Sequence, residues 1–152
     1  MQKSPTKKQL DALLQYYQNK DYKNAVKLAK NLTNNFPNHE LSWKILSISY
    51  KKFGKTLDSL AALQKIIIIN PKNYLAHYNL ANTYKELGKF NEAEKSYKVA
   101  ILLNPKFLEA QYNLGIILKK KGNFEEAILC HKKAISINPN FVNAYNNLGN
   151  IF

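Results

Sequence analysis

Apolar residues in this chain return at the three- and four-residue intervals of a helix face, in stretches of about 14 residues. Two stretches run from about Tyr74 to Leu87 and from about Phe90 to Leu103, and equivalent pairs precede and follow them. The breaks between stretches are as regular as the stretches. Pro37, Pro71, Pro105 and Pro139 lie 34 residues apart. Gly54, Gly88 and Gly122 keep the same step, as do Leu46, Leu80, Leu114 and Leu148. Tyr16, Tyr50 and Tyr84 share a register that continues as Leu118 and Phe152. The small residues Ala25, Ser59, Ala93 and Ala127 recur in the same way.

Each recurrent residue type has a physical reason to stand where it does. Glycine just after the first stretch of a pair suits a left-handed helix C-cap, which disfavours a Cβ. Asn-Pro at 70–71, 104–105 and 138–139 closes the second helix, because proline cannot continue it and restricts the residue before it. The small residues let the two helices approach, and Leu80, Tyr84, Phe90 and Tyr97 are expected to fill the space between them. Such pairs cannot bury their faces alone, and stacking them builds a superhelix with concave and convex walls.

The 34-residue period and these residue types resemble the tetratricopeptide repeat. The resemblance runs from about Thr6 to Phe152. It is weakest in the first unit, where Ala12 replaces the recurrent Leu and Lys20 the recurrent Gly. It implies an all-α, right-handed solenoid of helix-turn-helix units following a tail at 1–5. The units fall at about 6–39, 40–73, 74–107 and 108–141, with the first helix of a fifth at 142–152. It also implies that the first helix of each pair lines the concave wall, where such proteins hold a protein or peptide partner.

Asn79, Asn113 and Asn147 share one register on that wall. A side-chain amide offers two donors and an acceptor, which matches a peptide main chain whatever its side chains. The row resembles the asparagine ladder in the repeat domains of O-GlcNAc transferase-like proteins. Asp11 and Ile45 occupy the register in the first two units, so the likeness belongs to the later ones. Tyr78, Tyr112 and Asn82 stand beside the row, and Lys51, Lys85 and Lys119 repeat one turn further on. Together they outline a strip suited to an extended, acidic peptide, weighed against an ordinary solvated helix face. The family's carboxylate clamp is not matched: Lys44 fits, but Ile48 stands where an Asn is needed and the chain has no Arg.

The segment from Val142 keeps the core-type residues Tyr145, Leu148 and Phe152 without a partner helix. The expectation is a chain cut within its fifth repeat. One reading makes it the recruiting arm of a larger protein-modifying transferase, glycosyltransferase-like; another has the bare helix self-associating with a second copy.

Composition adds charge to this picture. The formal net charge is +13, carried by 23 basic residues that are all Lys. This admits two readings, a codon bias that also enriches Asn, Ile and Tyr, or selection for an acidic partner. The absence of Arg disfavours a nucleic-acid binder, since Arg grips phosphate and guanine bidentately. The longest aliphatic run, Ile66 to Ile69, is far short of the roughly 20 residues of a spanning helix. The N-terminus lacks the apolar core of a secretory signal. No membrane partner is expected, and a cytoplasmic location is the default.

No catalytic constellation emerges, and neither a metal nor a cofactor is expected. His39, His77 and His131 lie in separate units. Cys130 and His131 are sequence neighbours, which on a helix point about 100° apart rather than forming a metal clip. Cys130 reads as a small buried hydrophobe, and His77 as a packing residue. Glu92, Glu94, Glu125 and Glu126 sit near helix starts, where the dipole favours negative charge.

Overall fold

Thr6 opens the first helix with a capping box: its hydroxyl accepts from the Gln9 amide at 3.2 Å, and the Gln9 side chain accepts from the Thr6 amide at 2.8 Å. The chain, a computed structural model, is described over residues 4–151. Residues 1–3 of the tail and Phe152, expected among the core-type residues of the last helix, lie outside the described residues. The described residues form nine helices and no strand: α1 (Lys7–Gln18), α2 (Tyr22–Asn35), α3 (Glu40–Lys52), α4 (Thr56–Ile69), α5 (Tyr74–Glu86), α6 (Phe90–Leu103), α7 (Leu108–Lys120), α8 (Phe124–Ile137) and α9 (Val142–Gly149). None of them is long and apolar enough to cross a membrane.

The turns follow the logic of the sequence. Gly54, Gly88 and Gly122 have φ of +74°, +72° and +80°. Each comes one residue after the C-cap of a first helix. Lys20, which takes glycine's place in the first turn, adopts the same left-handed conformation with φ +59°. Asn70, Asn104 and Asn138 cap the second helices with φ between −136° and −140°. That is the extended range to which a following proline confines them.

The helices divide into two compact units, Met1–Pro71 and Lys72–Phe152. In the first, α1 to α4 pack each on the next around Leu13, Ala29, Leu32, Ile45, Leu46, Tyr50 and Ala62. Trp43 flanks this core and donates its indole N–H to the Pro37 carbonyl at 2.7 Å. His39 caps α3, with Nδ1 2.8 Å from the hydroxyl of buried Ser42.

In the second unit the core is Ala81, Ala93, Tyr97, Ala100, Ala110, Leu114, Ile117, Leu118 and Ala127. Ala93 and Ala127 in this unit, and Ala25 and Ser59 in the first, are wholly inaccessible. A larger side chain at any of them would force its helix pair apart. Tyr97 and Leu80 are buried as expected, while Tyr84 and Phe90 are partly buried against the core. Cys130 is half-buried rather than buried. Its neighbour His131 takes the interior position on α8, and a residue one step along a helix points elsewhere. Burial still pushes the Cys130 thiol up to about 11, so it is protonated at neutral pH. Outside the core, Glu94 on α6 accepts from Lys98 and Lys121, each at 2.6 Å, tying α6 to the end of α7.

Candidate functional site

Eight of the nine residues singled out in the sequence fall in the second unit. Tyr78, Asn79, Asn82 and Lys85 are on α5, Tyr112, Asn113 and Lys119 on α7, and Asn147 on α9. Lys51 is on α3 of the first unit.

Two of them, Tyr78 and Lys85, converge on Asn113. Its Oδ1 accepts from the Lys85 ammonium at 2.9 Å. Its Nδ2 donates to the Glu109 carbonyl at 2.8 Å and, more weakly, to the Tyr78 hydroxyl at 3.3 Å. Two residues two helix turns apart on α5 therefore fix one amide on α7. The amide of Asn79 is exposed and, among the described residues, makes no side-chain hydrogen bond. Asn147 is half-buried, and its amide is likewise unbonded among the described residues.

The aromatic neighbours repeat in register. Tyr78 meets Phe107 edge-on at 4.8 Å between centroids and lies 6.0 Å from Tyr97. Thirty-four residues on, Tyr112 meets Phe141 at 5.0 Å and lies 5.7 Å from His131. Each tyrosine is thus wedged between a second-helix ring and the residue that caps the next first helix. This geometry leaves the phenol body packed and its hydroxyl end toward the asparagine row in the case of Tyr78. Rings of this kind offer apolar area with little rotamer freedom to lose on binding.

Asn82 is turned to a different task. Its Oδ1 accepts the hydroxyl of fully buried Tyr97 at 2.6 Å. Desolvation raises the Tyr97 pKa, so this phenol stays a donor at any ordinary pH. Lys119 donates to the Asn150 carbonyl at the end of α9, at 3.0 Å. The lysine register thus ties one first helix to the next through Lys85 and Lys119.

His131 is the residue that the sequence reading missed. It stands in the register of Tyr97, is fully inaccessible, and neither ring nitrogen has a hydrogen-bond partner. Burial, followed by the charge of Lys119, lowers its pKa, so it is a neutral ring. The signal was available in the 34-residue alignment of 131 with 97. Among the described residues no three His, Cys, Asp or Glu side chains gather as a metal site would require.

Comparison with known proteins matches the repeats of the chain to family models. Models described as tetratricopeptide repeat match residues 12–39, 62–95 and 108–141, and one described as TPR repeat matches 81–122. The solved structure titled "Crystal structure of MamA" is similar with a TM-score of 0.87 at 26% identity, covering 90% of this chain and 80% of that one. YrrB, titled as a TPR protein with an unusual peptide-binding site, is similar at 0.82 and 22% identity, covering 91% and 71%. The first TPR of Spaghetti (RPAP3), bound to the HSP90 peptide SRMEEVD, is similar at 0.71 and 28% identity, covering 74% and 89%. No curated protein sequence matches the chain.

Proposed function

We propose that this chain, which belongs to the tetratricopeptide-repeat family, is a protein-protein interaction module that holds an extended peptide against α5, α7 and α9 of its second unit. It has no chemistry of its own in this reading. Its work is to present a fixed row of amides, phenols and ammonium groups. The observation that carries the reading is the Asn113 amide, oriented from α5 by Lys85 and Tyr78 and therefore set before any ligand arrives. Groups already ordered cost less to use in binding. The exposed Asn79 amide, one repeat earlier in register, adds a donor and acceptor with no internal partner to displace. Lys85 and Lys119 favour a partner with carboxylates. Two similar solved structures are titled for peptide binding, and the RPAP3 peptide contains consecutive glutamates.

The test is a fluorescence-polarisation screen of extended acidic peptides against the wild type and a triple variant, Asn79→Ala, Asn113→Ala and Asn147→Ala. Loss of two or three amide contacts, each about 1 kcal/mol, should weaken binding by on the order of tenfold or more. Equal affinity for both proteins would remove the asparagine row from the function.

A further inference from the structure

The first unit carries an open apolar cleft that the sequence reading did not use. Lys23 and Val26 of α2, Tyr50 of α3, and Phe53 and Lys55 of the α3–α4 turn line a cavity of about 220 Å³. Drug-sized ligands occupy roughly 300 to 1,000 Å³; this space suits one large side chain. Phe53, in the turn, is 53% exposed. The turn is fixed by its own backbone. The Phe53 amide donates to the Ser49 and Tyr50 carbonyls at 3.0 and 3.1 Å, and the Lys55 amide to Tyr50 at 2.9 Å. The cleft therefore exists without a ligand to shape it.

The chain supplies its own control. Two repeats later the positions of Val26 and Phe53 are held by Glu94 and Lys121, whose side chains close on each other at 2.6 Å. At that place in the second unit a cross-helix ion pair fills the space. In the first unit apolar side chains stand there instead, Phe53 exposed and Val26 half-buried against the core, with Lys23 and Lys55 at the rim. Neither of those ammonium groups has an ion-pair partner among the described residues. The first unit holds 12 Lys against four acidic residues, so the field around the cleft is positive.

We infer that this cleft binds an acidic segment of a protein partner, seating one large apolar side chain on Phe53, Val26 and Tyr50 while flanking carboxylates meet Lys23 and Lys55. The apolar anchor supplies most of the affinity, as buried aromatic hot spots do. The lysines, exposed and screened, steer and orient the segment. The site is separate from the asparagine row of the second unit and stands whether or not that row binds peptide.

An array of nine-residue peptides, each with a central Phe or Leu among Asp and Glu, provides the probe, followed by polarisation titration of the best sequence. The double variant Val26→Glu, Phe53→Lys copies the ion pair that the second unit already tolerates, so its fold should survive, as thermal melting would show. Binding should fall about tenfold or more in that variant, and equally when the central residue of the peptide is Ala. The surface variant Lys23→Glu, Lys55→Glu should weaken binding and reduce its salt dependence without altering the melt. In the background of the triple variant Asn79→Ala, Asn113→Ala and Asn147→Ala, which removes the asparagine row as a second site for acidic peptides, the cleft's share of binding should persist and still respond to the cleft variants. If no array member binds, or if binding ignores both cleft variants, the inference is overturned. Binding that fails only in the asparagine variants would also overturn it, and would leave the second unit's proposed role intact.

Discussion

A Cβ on Gly115 would lie 2.7 Å from Cε1 and 2.8 Å from Nε2 of His131, closer than packed atoms approach. Gly115 on α7 is therefore the space that the buried imidazole of α8 occupies. One repeat earlier the same two positions hold Ala81 and Tyr97, so the pair has changed together. Gly115→Ala should destabilise the protein by about 1–3 kcal/mol, the usual cost of overpacking, despite the better helix propensity of Ala. Chemical denaturation measures this directly. A gain in stability would show that the ring can move aside, and Gly115→Ala with His131→Ala should recover part of the loss.

His131 also sets an acid sensitivity. Burial and then the Lys119 charge hold its pKa below 6.5 in the folded chain. As pH falls below 6.5, the unfolded chain takes up a proton that the folded one refuses. The unfolded state then binds more protons, so stability falls with pH. The effect is absent above pH 6.5 and grows from there toward the folded-state value. His39, lowered by desolvation, contributes with the same sign. Glu94, held low by hydrogen bonds from Lys121 and then Lys98, adds a separate loss only below 4.5. Urea midpoints between pH 8 and pH 5 should decline in the wild type and decline less in His131→Leu.

The helix pairs and their turns were legible because each repeat restates the same backbone demands. Second helices predicted to end at Asn-Pro end there, and the helix expected at Phe90 to Leu103 has those bounds. What the pattern could not reveal was how a side chain divides its hydrogen bonds. Asn82 and Asn113 look alike in sequence, both Asn on first helices, three and zero positions from the ladder register. One bonds a buried tyrosine, the other a lysine and a tyrosine of the preceding first helix. Those partners are 15, 28 and 35 residues away, beyond any local pattern. His131 was overlooked because its pairing with Cys130 was weighed, and its alignment with Tyr97 was not.

Lys20 pays for its place in the first turn. A non-glycine residue in the left-handed region costs roughly 1–2 kcal/mol, and Lys20 sits at φ +59° where later repeats use Gly. Lys20→Gly should raise stability by about 0.5–1 kcal/mol after the greater freedom of glycine in the unfolded chain is deducted. A differential scanning measurement should show a higher Tm. No change would mean that Lys20 gains compensating contacts in the turn.

Tyr97→Phe keeps the ring and removes only the hydroxyl that Asn82 accepts at 2.6 Å. The half-buried Asn82 oxygen is left without that donor, at a cost of about 1–2 kcal/mol. Restoring stability by Asn82→Leu in the Tyr97→Phe background would confirm that the loss is an unmade hydrogen bond. A double-mutant cycle on these two positions should give a coupling energy of about 1 kcal/mol.

Asn79 and Asn113 should respond differently to the same truncation, because one amide is exposed and unbonded and the other is engaged by three partners. Asn79→Ala removes no internal contact and replaces a poor helix former, so stability should stay level or rise by about 0.5 kcal/mol. Asn113→Ala releases Lys85 and Tyr78 as well, and should cost about 1 kcal/mol of stability. If the row holds a peptide, both variants should bind more weakly, but only the Asn113 variant should also melt earlier. Paired measurements of Tm and peptide affinity on the two single variants separate these effects. A binding loss confined to Asn113→Ala would trace the defect to the displaced Lys85 and would remove Asn79 from the binding surface.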